Sequence, residues 1–500
     1  MLSFLLSIPP RTVLSVLLPI IASCLGTTLL YRLYLHPLAK FHGPWYAAAT
    51  SLTLATLSLF QLDALWIEYL VKKYGSESPL LRSSLAIIFN QCNTKASLYG
   101  TGAFASPHLF GTLDGDSHRE LRKAVGGSPW TVGCLKNNWE PRLDDHLQLL
   151  CQRLTETANT HNSVDLGSEL SRFSADIATM LLFTHPFGFL ENRENQARIL
   201  EKWREEIPVS AFASRFKFFH VYIANLPGMN ALLFRKGLPR RTGKDGSEWV
   251  MAESARRIKQ REYEIEQGRN MEKSDFLQLC MDARLGGKPL TQAQKHAHAI
   301  MFLTAGSDTT GSGLGSTLRF LITQPDKLQR LREEIETAEQ AGLLSKPIKY
   351  EEARQHLPYL AACIKESLRL NPPGVGFFAR VTGKDGTIIN GQYIPPHTEI
   401  TTAALVIHRD PGVFSPDPGL FRPERWLDKD KVAEMDPAIF TFGMGPRSCL
   451  GKDIAHMELY KVIAELVRRF DFKLENAGEF VIAGGIAYNK GFKVKITLRK

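Results

Sequence analysis

The chain has 500 residues, and its 61 Lys plus Arg against 51 Asp plus Glu leave a formal net charge of +10, a balance that suits an acidic protein partner or an anionic membrane surface. Hydrophobic residues at 44% and charged residues at 22%, with a mean hydropathy of -0.14, exclude a disordered chain, a collagen and a multi-span transporter. The seven cysteines, Cys24, Cys92, Cys134, Cys151, Cys280, Cys363 and Cys449, are scattered and form no C-x-x-C pair, which excludes a disulfide framework and a structural zinc site.

From Thr12 to Tyr31 there is no charge, and Arg11 and Arg32 bracket the run. Its length matches the roughly 20 apolar residues of a membrane-crossing helix. Met1 to Pro10 carries no basic side chain, unlike the start of a cleaved signal peptide, so an uncleaved anchor is expected. Arg32 and Lys40 after the run outnumber Arg11 before it, which places the bulk of the chain in the cytosol. His36-Pro37-Leu38 and Gly43-Pro44-Trp45 make a stiff connection. A second uncharged stretch, Trp45 to Leu62, is either another span or, given its Ser and Thr content, a surface-embedded or core segment. The charged run Arg256-Arg257-Ile258-Lys259-Gln260-Arg261-Glu262 interleaves bases with acids, and no nucleic-acid partner is expected.

Helical periodicity dominates the middle of the chain. The spacing predicts a long helix from about Thr291 to Thr323, stopped by Gln324-Pro325, and a charged surface helix from Pro325 to about Glu339. A third runs from about Pro358 to Leu370 and is ended by Asn371-Pro372-Pro373. Thr387 to Ile394 reads as a hairpin turned by Asn390-Gly391. Gly443 to Gly451 is a Gly-rich loop, Lys452 to about Phe470 is again helical, and Val481 to Leu498 reads as a second hairpin around Gly484-Gly485. No repeat or linker divides the chain after residue 45, so one large, mostly helical domain is expected.

Phe442-Gly443-Met444-Gly445-Pro446-Arg447-Ser448-Cys449-Leu450-Gly451 places one cysteine in a Gly-flanked loop at the start of a helix. Exposed backbone N–H groups and the helix dipole there stabilise a thiolate, which can ligate a metal. The alternative is a buried, inert thiol. Gly306, within Ala305-Gly306-Ser307-Asp308-Thr309-Thr310, costs about 1 kcal/mol in a helix interior. It therefore marks either a ligand approaching the backbone or close helix packing. Glu366 and Arg369 share a helical face and can pair.

The cysteine segment resembles the haem-ligand signature F-x-x-G-x-R-x-C-x-G of the cytochrome P450 family at every fixed position. Ala305 to Thr310 resembles the family's A-G-x-D-T-T, and Glu366-Ser367-Leu368-Arg369 its E-x-x-R, with Arg425 of Phe421-Arg422-Pro423-Glu424-Arg425-Trp426 as the third member of that network. The resemblance runs from about Pro37 to the carboxyl terminus and implies a mainly α fold with small β-sheets, a single large helical domain behind an N-terminal transmembrane helix. It divides the chain into an anchor (1–35), a Pro/Gly hinge (36–45) and a haem-thiolate catalytic domain (46–500).

The activity so implied is that of a monooxygenase acting on an apolar small molecule, with haem b as cofactor and electrons from an NADPH-dependent flavoprotein reductase. The implied location is the endoplasmic reticulum membrane, spanned once, and the Tyr31 to Trp45 opening is similar to that of fungal members serving specialised metabolism. Rival readings are a haem-thiolate isomerase or dehydratase and a non-catalytic haem protein.

Residue by residue, the resemblance makes Cys449 the iron ligand, opens its loop with Phe442, and makes Asp308 and Thr309 the oxygen-activating pair. Arg447, Arg380, Arg122 and His118, the last where Trp is commoner, would bind the haem propionates, for which the planar guanidinium fork is suited. Met301 and Phe302, one turn before Ala305, would share its haem-facing side. His298 either orients a polar substrate group or is a hydrogen-bonded or surface histidine. The loop before His118, Val375 to Phe378 and Gly484 to Ala487 would line the pocket. Phe218-Phe219-His220-Val221-Tyr222-Ile223 with Leu226-Pro227-Gly228 is either a membrane-touching lid or a core helix.

Overall fold

The computed structural model describes residues 10–74, 94–95, 108–191, 193–216, 246–269, 275–375, 379–389 and 391–499. The expected lid at 218–228, residues 376–378, Asn390 and most of the loop before His118 lie outside them.

Helix α1, Pro10–Leu30, runs into a π-helical turn at Tyr31–Leu35. Its window Leu18–Leu35 has a mean hydropathy of 1.4 and none of it is buried by the protein; among the described residues it is the one helix long and apolar enough to cross a membrane. The second uncharged stretch folds instead into α2, Trp45–Ala49, and α3, Leu52–Leu59, which are too short to span. Ala55 and Ser58 of α3 are buried, and α4, Asp63–Tyr74, follows.

The body is helical. In chain order its larger helices are α5, Gly115–Val125, α6, Glu140–Asn159, α7, Leu166–Phe183, α8, Arg193–Arg215, and α9, Gly246–Glu266. The 32-residue α10, Gln292–Thr323, is about 48 Å long at 1.5 Å per residue. Thr291 caps it: its Oγ1 accepts the Gln294 N–H at 3.2 Å while Gln294 Oε1 accepts the Thr291 N–H at 2.9 Å. Pro325, lacking a donor, ends α10 and opens α11, Pro325–Gln340. Helix α12, Pro358–Leu370, buries ten of its side chains, and α13, Lys452–Arg469, follows the cysteine loop.

One apolar core joins α6, α7, α10, α11, α12 and α13 through residues such as Leu147, Phe173, Leu318, Leu331, Ile364 and Val462. Each such burial contributes about 1.5–3 kcal/mol before entropy is counted. Helices α7 and α10 approach closely because glycines face the partner: a Cβ on Gly311 would lie 2.7 Å from Ser171 Cα, and one on Gly306 2.9 Å from Ala178 Cβ. Gly306 is therefore a helix-packing residue. Of the two readings of Gly306, close helix packing is the one this contact supports.

The sheets are small and antiparallel. Strands β1, Thr94–Lys95, β3, Arg380–Val381, and β6, Glu399–Ile400, form one, with β3 central. Strand β2, Ser163–Asp165, joins the carboxyl-terminal sheet described below. The predicted hairpin is present as β4, Thr387–Ile389, and β5, Gln392–Ile394. The expected second hairpin is shorter than Val481 to Leu498: β8, Glu479–Ala483, pairs with β9, Ile486–Lys490, across Gly484 (φ 57) and Gly485 (φ 92). The chain then turns at Gly491 (φ 70), and β10, Lys493–Leu498, inserts between β2 and β7, Phe470–Asn476. Fully buried Phe492 and Val494, with Ile496 nearly so, hold β10 there rather than on β9.

Candidate active site

The cysteine loop is closed by its own backbone. Cys449 N–H donates to Phe442 O at 2.7 Å, Gly443 N–H to Phe440 O at 2.7 Å and Ser448 N–H to Gly445 O at 3.1 Å. Gly443 (φ 69) and Gly445 (φ 67) take the left-handed conformations this path requires. Cys449 is exposed to solvent, although neighbouring protein surrounds part of it. That crowding raises its thiol above the usual value, while the Gly451 N–H, Arg122 and Lys452 pull the other way. Phe442 lies edge-on to His456, with centroids 4.9 Å apart.

Three elements hold the loop from outside. Arg122 of α5 donates to Ser448 O at 2.7 Å. Arg447 donates to the carbonyls of Thr112 at 2.8 Å, Leu113 at 2.9 Å and Asp114 at 3.2 Å, the segment that enters α5. Beneath the loop, Glu366 and Arg369 form a fully buried pair at 2.7 and 2.8 Å. Arg425 joins it at 3.0 Å and Trp426 Nε1 at 2.8 Å, so the expected three-residue network is assembled.

Sequence reasoning missed the member that connects this network to the cysteine. His408 lies by Arg369 O through Nδ1 (3.2 Å) and accepts the Phe440 N–H on Nε2 (3.1 Å), and burial holds its pKa down to about 3, keeping it neutral. No local pattern marks it.

A cationic cluster is the second feature. Arg380 is buried on β3, donates to Ala379 O at 3.2 Å, and stands directly opposite Lys95 of β1. Like charges opposite one another on a sheet are destabilising. Burial and then Arg380 and Arg447 push the Lys95 pKa well down. His118 is buried at the same place, and its pKa falls to about 3 through burial first and then Arg447, Lys95, Arg122 and Arg380. The four expected positions, Arg122, Arg380, Arg447 and His118, are thus brought together. Lys95 was missed because nothing in its local sequence separates it from a surface lysine.

On α10, Ala305 is exposed and Thr309 half-buried in a helix whose neighbours Ser307 and Asp308 are buried. Thr309 Oγ1 donates back to Ala305 O. Met301 packs on the small cluster of Leu109, Leu121 and Val125 that Leu450, next to Cys449, also touches. Phe302 packs there too but is tilted against Trp130 and Phe276, with centroids at 5.5 and 6.2 Å, so it belongs to the core more than to an open face. Asp308 points away from Thr309: its Oδ1 accepts from Arg204 of α8 at 2.6 and 3.2 Å, and Arg204 also reaches Ser171. Asp308 Oδ2 has no hydrogen-bond partner among the described residues. His298 is hydrogen-bonded at both nitrogens to backbone, which removes it as an orienter of a substrate group. The polar depression lined by Glu156, Asn162, Asp165 and Glu169 shares no residue with this site.

A family model described as Cytochrome P450 matches residues 103–482. The cytochrome P450 monooxygenase gsfF of Penicillium aethiopicum is 31% identical over 502 residues, covering 94% of this chain and 95% of that protein. The cytochrome P450 monooxygenase ACRTS1 of Alternaria alternata is 31% identical over 71% of this chain and 92% of its own. Pisatin demethylase of Fusarium vanettenii is 29% identical over 79% and 75%. With a cysteine loop, a cationic cluster and a 32-residue helix in one core, and with these relatives, the chain belongs to the cytochrome P450 family of haem-thiolate monooxygenases.

Proposed function

We propose that the chain inserts one atom of dioxygen into an apolar small molecule of specialised metabolism, at a haem b ligated by Cys449. The balance is one C–H bond, one dioxygen, two electrons and two protons consumed, with one hydroxyl group and one water formed; the electrons come from NADPH through a flavoprotein reductase. The residues suit that cofactor: one accessible sulfur beside backbone N–H groups, and a group of basic side chains, Lys95, His118 and Arg380 buried and Arg122 and Arg447 half-buried, matched to two carboxylates. When bound, the haem supplies the dioxygen-binding iron and a sulfur-derived push of electron density that favours O–O cleavage.

The chain's own residues do the rest. The Phe442 carbonyl fixes the Cys449 backbone and the Gly451 N–H stabilises the thiolate. Arg122, Arg380, Arg447, Lys95 and His118 orient the cofactor through its carboxylates. Thr309 presents a hydroxyl at the open face of α10, where it holds a proton, and Asp308 supplies protons from behind with its charge balanced by Arg204. Residues 1–35 anchor the chain in the endoplasmic reticulum membrane by a single span, 36–45 form the hinge, and 46–500 form the catalytic domain on the cytosolic side.

The observation that carries this reading is the accessible Cys449 sulfur in a loop braced by the buried Glu366 network. The test is product formation by anchored protein, reductase and NADPH under ¹⁸O-labelled dioxygen with a panel of apolar metabolites. One labelled oxygen per product is expected; product formed equally well without dioxygen would overturn it in favour of an isomerase or dehydratase.

A further inference from the structure

His298 sits on α10 about two turns before Ala305 and is fully buried. Its Nδ1 lies 2.8 Å from Gln294 O, so that nitrogen carries the proton and Nε2 is bare. The bare nitrogen accepts the Leu109 N–H at 3.1 Å. Burial lowers the His298 pKa, which preserves this neutral form.

The segment that begins at Leu109 carries most of the carbonyls that hold the cationic cluster. Phe110 O accepts Lys95 Nζ, Leu113 O accepts the Lys95 N–H at 3.1 Å, and Thr112, Leu113 and Asp114 accept from Arg447. The segment folds tightly on itself: Thr112 N–H and Oγ1 donate to His108 O at 2.9 and 2.7 Å, and a Cβ on Gly111 would lie 2.6 Å from His108 Nε2. The His108 and His298 rings meet edge-on with centroids 6.3 Å apart.

We propose that His298 is a positioning residue: by accepting the Leu109 N–H it pins segment 109–114 to the long helix and so sets where Lys95 and Arg447 stand toward the haem carboxylates. This rests on the proposed assignment of the whole cationic cluster, Arg380 as well as Lys95 and Arg447, to the cofactor. It ties the helix bearing Thr309 to the cofactor's polar edge through one backbone hydrogen bond.

The test uses full-length holoenzyme and two readouts, hydrogen exchange resolved at the Leu109 amide and the rate of haem transfer to excess apomyoglobin. His298→Leu should speed both, the amide by about five- to ten-fold, the worth of one buried hydrogen bond. His298→Asn, whose amide is too short to reach Leu109, should behave the same way if the Leu variant fails to hold haem. His298→Gln, which can present an oxygen at about the reach of Nε2, should restore both. Unchanged Leu109 exchange in the Leu and Asn variants, or a Gln variant as defective as they are, would overturn the proposal. Arg380→Gln tests the underlying assignment separately: it should speed haem loss and leave Leu109 exchange unchanged, and haem loss at the wild-type rate would overturn the carboxylate assignment whatever His298 does.

Discussion

Replacing Glu366 by Gln removes one charge from the centre of the brace under the cysteine loop. Glu366 is fully buried and accepts from Arg369 Nε and Nη2, Arg425 Nε, Trp426 Nε1 and the Arg422 N–H, at 2.7 to 3.0 Å. Glutamine offers one oxygen and one amide, so the amide faces donors, and two guanidiniums that are almost wholly buried lose their counterion. Breaking a buried pair in this way costs about 3–5 kcal/mol, against a total stability on the order of 5–15 kcal/mol. For a folded part of this size the unfolding entropy is roughly 1 kcal/mol per degree, so the midpoint should fall by about 3–5 °C. The damage should be concentrated where the network touches the loop, through Arg369, His408 and the Phe440 N–H. The assay is heating holoenzyme while following the carbon monoxide difference spectrum and far-ultraviolet circular dichroism together. Loss of the thiolate-type band well before loss of helix is expected. A Glu366→Gln protein with the wild-type midpoint and an intact band would refute the reasoning.

Thr309→Ala should keep haem and the carbon monoxide band but lower product formed per NADPH consumed, the lost electrons appearing as hydrogen peroxide; unchanged coupling would remove Thr309 from proton handling. Asp308→Asn, which also leaves Arg204 unbalanced, should slow turnover itself, and stopped-flow turnover at the wild-type rate would refute its role. Deleting residues 1–35 should leave haem binding intact and shift the protein largely to the soluble fraction; full retention in salt-washed membranes would refute the anchor. Burial holds His108, His118 and His408 down to about 3 and His456 to about 4. They stay neutral when folded and protonate below about pH 6.5 when unfolded, so stability is complete above that pH and is lost as pH falls toward 3–4, by up to about 1.4 kcal/mol per unit for each. The thermal midpoint should be lower at pH 5.5 than at 7.5, and a pH-independent midpoint would contradict this.

The helix boundaries were legible because local chemistry sets them: Thr291 and Gln294 form a cap whose groups lie three residues apart, and Gln324-Pro325 and Asn371-Pro372 stop a helix by removing a donor. The cysteine loop was legible for the same reason, since its closing bonds are local. What was not legible depends on distant segments. Lys95 acquires meaning only when β1 pairs with β3 and sets it opposite Arg380. His408 bridges Arg369 to Phe440 across three separate stretches. Gly306 stayed open between a ligand and helix packing because a glycine in a helix does not say which neighbour needs the space; Ala178 of α7 does. Asp308 follows Thr309's neighbour rule in sequence but points about 100° away on the helix, toward Arg204. The carboxyl-terminal strands were merged into one hairpin because alternation continues through Gly491, whereas the pairing changes there.

The role of Cys449 is tested most directly by the carbon monoxide spectrum of the reduced protein. The wild type should show the strongly red-shifted Soret band of a thiolate-ligated haem. Cys449→His should abolish that band while, if haem is retained, giving the spectrum of an imidazole-ligated iron. A Cys449→His protein that keeps the red-shifted band would place the ligand on another cysteine and contradict the assignment on which the site rests.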